Sequence, residues 1–133
     1  MDLTNLNKDR KPRRKSSLDL GTMVYGKVPP QAKDLEEAVL GAMMLEKNAF
    51  DTVVEILKPE CFYVEAHQRI YRAMQSLSNK SQPIDILTVA EELKFKEELE
   101  MVGGAYYVTK LTNAVVSSAN IEAHSRIILQ KFI

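Results

Sequence analysis

Apolar residues in this chain return every three or four positions, in block after block from Leu35 to Ile128. That spacing lines one face of a helix, whereas a half-buried strand needs a period of two. The first stripe is Leu35, Ala38, Val39, Ala42 and Met43. It follows Pro29-Pro30, and a proline disfavours helix at the residue before it, so the folded part starts here. Asp34, Glu36 and Glu37 fall in the expected first turn, where carboxylates favour the positive end of the helix dipole. Gly41 lies inside this helix at a cost of up to about 1 kcal/mol relative to Ala, which points to a close helix contact.

A second helix, capped by Asn48, carries Phe50, Val53, Val54 and Leu57 and ends at Pro59. A longer third stripe holds His67, Ile70, Tyr71, Met74 and Leu77. After the polar loop 78–83, Asp85 caps a short helix with Val89, Ala90 and Leu93 inward. The segment Leu99 to Leu111 starts its helix at Gly103-Gly104 and buries Tyr107, Val108 and Leu111. The last helix, capped by Ser118 or Asn120, carries Ile121, His124, Ile127 and Ile128. No strand-like alternation survives beside these periods, so the expected fold is all-α: a compact helical head followed by a two-helix hairpin. Leu35, Val39, Phe50, Val53, Ile70, Tyr71, Met74 and Leu93 are the expected core. The expected boundaries are a tail over 1–27, a head over 28–98 and a hairpin over 99–133.

Formal net charge is zero over 133 residues, but the two signs are segregated. Residues 1–27 carry seven basic and three acidic groups, and residues 28–133 carry eleven and fifteen. The first segment is poor in large apolar residues and has no period, so it reads as a flexible basic tail. Arg10, Lys11, Arg13, Arg14 and Lys15 are its candidate nucleic-acid contacts. A solvated tail without a dedicated ligand is the simpler reading, because no aromatic residues interleave with the basic ones.

Catalytic patterns are missing. There is no phosphate-cradling G-x-x-x-x-G-K-[ST], no G-x-S-x-G, no H-E-x-x-H and no calcium loop. One cysteine, Cys61, excludes an internal disulfide, and two histidines make a Cys/His zinc site a poor reading. His67, on an apolar stripe, reads as a core histidine hydrogen-bonded inside the fold, with no partner placed by sequence. Glu97, Glu98 and Glu100 read as a solvated acidic face. No run of about 18 apolar residues exists to span a membrane, and no secretory signal is visible, so the default compartment is the cytosol. No catalytic, cofactor-binding or metal-ligating residues are therefore assigned.

What remains is an interaction module. The last 28 residues are rich in apolar groups, which either pack on the preceding helices or pair with another chain. The candidates for self-association are Tyr106, Val115, Val116, Ile121 and Ile128, with Tyr107 fitting either that surface or the core. The chain stops on Lys131-Phe132-Ile133 in mid-stripe, which suggests a fragment of a longer protein.

Several pieces also occur in a familiar order. They are Val28-Pro29-Pro30-Gln31 and Glu36-Glu37-Ala38-Val39-Leu40-Gly41-Ala42-Met43-Met44-Leu45, then Phe62-Tyr63, His67 and Ile70-Tyr71. Pro83-Ile84-Asp85, Thr88 and Glu92-Leu93 follow, then Val102-Gly103-Gly104 with Tyr107 and Leu111, and finally Ala119-Asn120-Ile121 with Ile127. Over residues 28–133 this resembles the opening domain of the bacterial replicative helicases of DnaB type. The resemblance implies a collar in which hairpins pair two subunits and three pairs crown a hexameric ring. It further implies docking of the primase C-terminal domain in the primosome, and a helicase loader acting on the same ring. ATP, Mg2+, DNA and 5′-to-3′ unwinding would belong to a motor domain that follows a linker in the family. The alternative is a small helical DNA-binding domain using the basic tail, weakened by the acidic folded part and the lack of a basic recognition helix.

Overall fold

The third apolar stripe organises the molecule. In the computed structural model, which describes residues 30–115 and 120–133, the chain forms α1 (Pro30–Leu45), α2 (Ala49–Val54), a 3-10 turn (Pro59–Cys61), α3 (Glu65–Asn79), α4 (Ile86–Phe95), α5 (Gly104–Asn113) and α6 (Ile121–Phe132). The six helices are those expected from the periodicity, and no strand occurs among the described residues. His67, Ile70, Tyr71, Ala73, Met74 and Leu77 of α3 are all buried. This helix packs against α4 and the 3-10 turn. Phe50 and Phe62 set their rings against Tyr71 at 6.0 and 5.1 Å between centroids, both tilted, the geometry aromatic pairs favour. Tyr71 donates its hydroxyl to Leu57 O at 2.8 Å, so the polar end of this buried ring is satisfied. Of the expected core, Val39, Phe50, Val53, Ile70, Tyr71, Met74 and Leu93 are buried, and Leu35 packs on the core while partly exposed.

Residues 31–133 form one unit. Val108 and Leu111 of α5 and Ile121 and Ile128 of α6 lie in the same hydrophobic cluster as the earlier helices. Chiefly, α5 packs on α4, and α6 packs on α2 and the 3-10 turn. The helices after residue 98 thus share the core of the head, because their apolar stripes find partners there.

Helix ends show which local signals carried. Asp85 caps α4 as expected, and does so within a capping box. Its Oδ1 accepts from Thr88 N–H at 2.8 Å, and Asp85 N–H donates to Thr88 Oγ1 at 2.9 Å. Asn48 and Asn120 occupy N-cap positions but make no side-chain cap bond, and Ser118 lies outside the described residues. Pro59 does not end α2, which stops at Val54. The Val53 carbonyl takes the N–H of both Ile56 and Leu57, and Pro59 instead opens the 3-10 turn, where a missing N–H costs nothing. Asp34, Glu36 and Glu37 are not in a first turn either, because α1 already starts at Pro30.

Two helices close without glycine. Glu97 has φ +62° after α4, with Glu98 N–H on Leu93 O and Glu97 N–H on Lys94 O. Ser81 has φ +58° after α3, with the equivalent bonds to Leu77 and Ser78. These are Schellman closures with L-residues in the left-handed region. At Gly103, φ is +115° and a Cβ would lie 2.8 Å from Tyr107 Cβ, so the glycine pair expected at a helix start meets both a backbone and a packing requirement.

Gly41 is the close contact expected of it. A Cβ there would run into the backbone carbonyl of Leu111 and come within 2.7 Å of Val115 Cγ2. Helix propensity alone would favour Gly41→Ala by about 1 kcal/mol. The clash is with backbone, which gives little, so a net loss of about 1–3 kcal/mol is expected in urea unfolding. Glu97→Gly should act oppositely and raise stability by about 1 kcal/mol by relieving the left-handed strain.

Candidate functional site

Four polar side chains meet between α1, α3 and α5. Glu36 and Glu37 stand side by side on α1 and are both buried, and His67 on α3 has no exposed surface. Glu36 Oε1 lies 2.7 Å from His67 Nδ1. The other imidazole nitrogen, Nε2, lies 2.7 Å from the Tyr107 hydroxyl on α5. Tyr107 in turn donates to Glu37 Oε2 at 2.6 Å. The chain runs Glu36–His67–Tyr107–Glu37 and ends near Lys33, whose Nζ is 3.9 Å from Glu37 Oε2. Burial, with the Glu37 carboxylate at its hydroxyl, pushes the Tyr107 pKa far above the usual phenol range, so the hydroxyl keeps its proton. The His67 and Tyr107 rings are parallel within 5°, and the Phe62 ring stands nearly perpendicular to that of His67.

Glu36 has a second task. Its Oε2 accepts the N–H of Tyr63 at 2.7 Å and its Oε1 that of Val64 at 3.3 Å. Val64 is the N-cap residue of α3 and has no side-chain acceptor of its own. A carboxylate from α1 therefore supplies the cap that the local sequence lacks. Sequence reasoning placed His67 in a hydrogen-bonded core without naming partners, which lie 31 residues before it and 40 after it. The available signal was register: Glu36 stands three and four positions before Val39 and Leu40, on the inward face.

A second polar group ties α3 to α4. Glu92 is buried, and it accepts from Lys80 Nζ at 2.9 Å and Ser76 Oγ at 2.8 Å. Lys80 also sits over the Phe95 ring at 5.6 Å. Glu98 leaves the expected solvated run and bonds Arg69 at 2.9 Å, while Glu97 and Glu100 are exposed. Among the described residues no group of three His, Cys, Asp or Glu is placed to hold a metal ion, and no helix is long and apolar enough to cross a membrane.

The residues expected at an interface are spread over different environments. Tyr106 is 79% exposed on α5. Val115 is half-buried and lines a cavity of about 330 Å³ with Ala38, Ala42, Ile121 and His124. Ile121 and Ile128 are only 9% and 3% exposed, inside the core of the same chain, so an interface through them would require α6 to leave α2. Val116 and the basic cluster Arg10, Lys11, Arg13, Arg14 and Lys15 lie outside the described residues. Phe132 and Ile133, with Ile127, are not among the expected interface residues, yet all three offer apolar surface on or just beyond α6.

The Lys80 and Ser76 hydrogen bonds hold the Glu92 carboxyl below its usual range. A depressed carboxyl adds stability above the unfolded pKa, near 4.3, and that stability is lost as pH falls toward the folded value. Glu92→Gln should therefore flatten the acid limb of a stability–pH profile below about pH 5, measured by urea unfolding.

Comparison with known proteins gives this architecture a place. The family model for the DnaB-like helicase N terminal domain matches residues 28–130. The replicative DNA helicase DnaB of Rhodothermus marinus is 50% identical over 108 residues, which cover 81% of this chain and 12% of that protein. The Geobacillus stearothermophilus counterpart is 43% identical over 105 residues, covering 79% of this chain and 23% of that protein. The matched stretch thus spans less than a quarter of the length of either helicase. The crystal structure of the N-terminal domain of DnaB helicase from Mycobacterium tuberculosis matches with a TM-score of 0.74 at 39% identity, covering 79% of this chain and 76% of that one. With sequence and fold in agreement over nearly the whole described region, the chain belongs to the DnaB-like helicase N-terminal domain family.

Proposed function

We propose that this chain is the collar module of a hexameric replicative DNA helicase, acting by docking rather than chemistry. Its work is to pair with a second copy and to receive the C-terminal domain of primase, with a helicase loader as a further partner of the assembled ring. ATP and Mg2+, DNA unwinding and a cytoplasmic location belong to the longer helicase of which this stretch is the N-terminal part. One observation carries the docking reading. The titratable side chains at the centre of the fold are enclosed, while large apolar side chains face outward on and beside the last two helices: Tyr106, Ile127, Phe132 and Ile133. Leu45, Leu87, Phe95 and Met101 face outward elsewhere on the domain, so the docking reading takes the last two helices as one part of a wider apolar surface that another chain can cover. The family match supports that reading.

Within this reading, Tyr106 and the outer face of α6 carry self-association. Ile121 and Ile128 hold α6 to its own head. Light scattering across a concentration series should give a mass above that of one chain, little affected by salt because the contact is apolar. Tyr106→Asp and Ile127→Asp should lower that mass with helicity intact, whereas Ile121→Asp should lose helicity, since it places a charge in the core. Titration with an isolated primase C-terminal domain should show saturable binding. A strict monomer that also fails to bind primase overturns the proposal.

A further inference from the structure

We propose that the Glu36–His67–Tyr107–Glu37 chain is a proton-held latch. His67 donates from both ring nitrogens, and loss of its second proton loosens α5 from α1 and α3. This goes beyond the docking reading and does not depend on it.

The inference rests on counting protons. Three short contacts, at 2.7, 2.7 and 2.6 Å, link four side chains in a row. Each hydrogen bond needs one hydrogen between its two heavy atoms. Tyr107 has a single hydroxyl hydrogen, which it gives to Glu37. Ionised carboxylates have none to give. Glu36 is surrounded as an anion is: the N–H groups of Tyr63 and Val64 and the imidazole Nδ1 all point at its two oxygens. Glu37 faces the Tyr107 hydroxyl and the Lys33 ammonium, also the surroundings of an anion. The two remaining hydrogens must come from the imidazole, one from each nitrogen. The cluster is then a cationic ring between two carboxylates, with Lys33 at its rim and the uncharged Phe62 ring against the imidazole.

Removing the second imidazole proton leaves Tyr107 with one hydrogen for two acceptors, His67 Nε2 and Glu37. One contact of the three must fail, beside an imidazole with no exposed surface and a partly buried Tyr107. Tyr107 is the residue through which α5 hydrogen-bonds both α1 and α3, so the loss falls on the seat of α5, the helix that presents Tyr106. One proton bound in the seated form and released from the loosened one changes their ratio by up to tenfold per pH unit.

Glu37→Gln is the discriminating variant. Its carboxamide donates to the Tyr107 oxygen, Tyr107 then donates to His67 Nε2, and Nδ1–H still donates to Glu36. All three contacts survive with a neutral ring. The measurements are ring-nitrogen NMR of His67 and amide-exchange protection factors along α5, at several pH values from 6 to 9. In the unsubstituted chain both ring nitrogens should carry hydrogen at the acid end. Protection of α5 should then fall as pH rises, by up to tenfold per unit, while that of α2 does not follow it. In Glu37→Gln only Nδ1 should carry hydrogen, and α5 protection should be flat. A singly protonated His67 throughout in the unsubstituted chain, or the same pH slope in both proteins, overturns the latch. The ring-nitrogen spectrum of the unsubstituted chain decides the protonation claim even if the variant fails to fold.

Discussion

One carboxylate in α1 sets the geometry of the molecule. Glu36 accepts the backbone N–H groups that open α3 and the Nδ1 side of His67 at the same time. A buried carboxylate is tolerable only when its oxygens are fully engaged, and here three donors engage them. The register of α1 against α3 follows, because a shift of one residue would take the carboxylate off the backbone it caps and leave it unpaired. His67 then reaches Tyr107, and Tyr107 returns to Glu37. Two adjacent residues of α1 are thereby linked to two helices that lie far apart in sequence.

The second link between α1 and α5 is steric. At Gly41 the absence of a side chain lets α1 approach the Leu111 carbonyl and Val115. The two contacts sit at different heights along α1: Glu36 and Glu37 near its middle and Gly41 about a turn further on. Together they set both the distance and the rotation of α5. With α5 placed, the residue next to Tyr107 is turned outward, and Tyr106 is among the most exposed large side chains on the domain. On the docking function proposed above, an inward hydrogen bond at one position and an outward aromatic at the next are two consequences of one helix orientation.

The polar seams are graded. His67 has no exposed surface, and the chain of contacts from it opens toward solvent at Tyr107 and Lys33. The Glu92 cluster is half open, with Lys80 covering the carboxylate from outside and resting on Phe95. The Arg69 bridge to Glu65 and Glu98 lies at the surface and ties α3 to the turn before α5. Along α6, Ser125 is fully buried and is the only buried side-chain polar atom among the described residues without a hydrogen-bond partner. An unmet buried hydroxyl costs about 1–3 kcal/mol, so the α6 seam is the least well satisfied of those that close the core.

Helix number, helix order, most of the inward stripe of each helix, the Asp85 cap and the need for glycine at position 103 were determined by the sequence itself. All of these depend on neighbours within about four residues, and a helical period or a capping residue is visible at that range. Tertiary structure decided the rest. Glu36 and Glu37 are local candidates for dipole stabilisation, yet α1 starts earlier than its acidic residues suggest and turns both carboxylates inward to meet His67 and Tyr107. Glu97 and Ser81 close helices in a conformation that sequence assigns to glycine, because the following turns demand it. Ile121 and Ile128 have a stripe that fits a partner chain as well as their own head, and only the placement of α2 and the 3-10 turn settles where that stripe is buried. A periodic pattern records which face is apolar. What covers that face, and which distant side chain completes a buried hydrogen bond, depends on contacts between helices far apart in the chain.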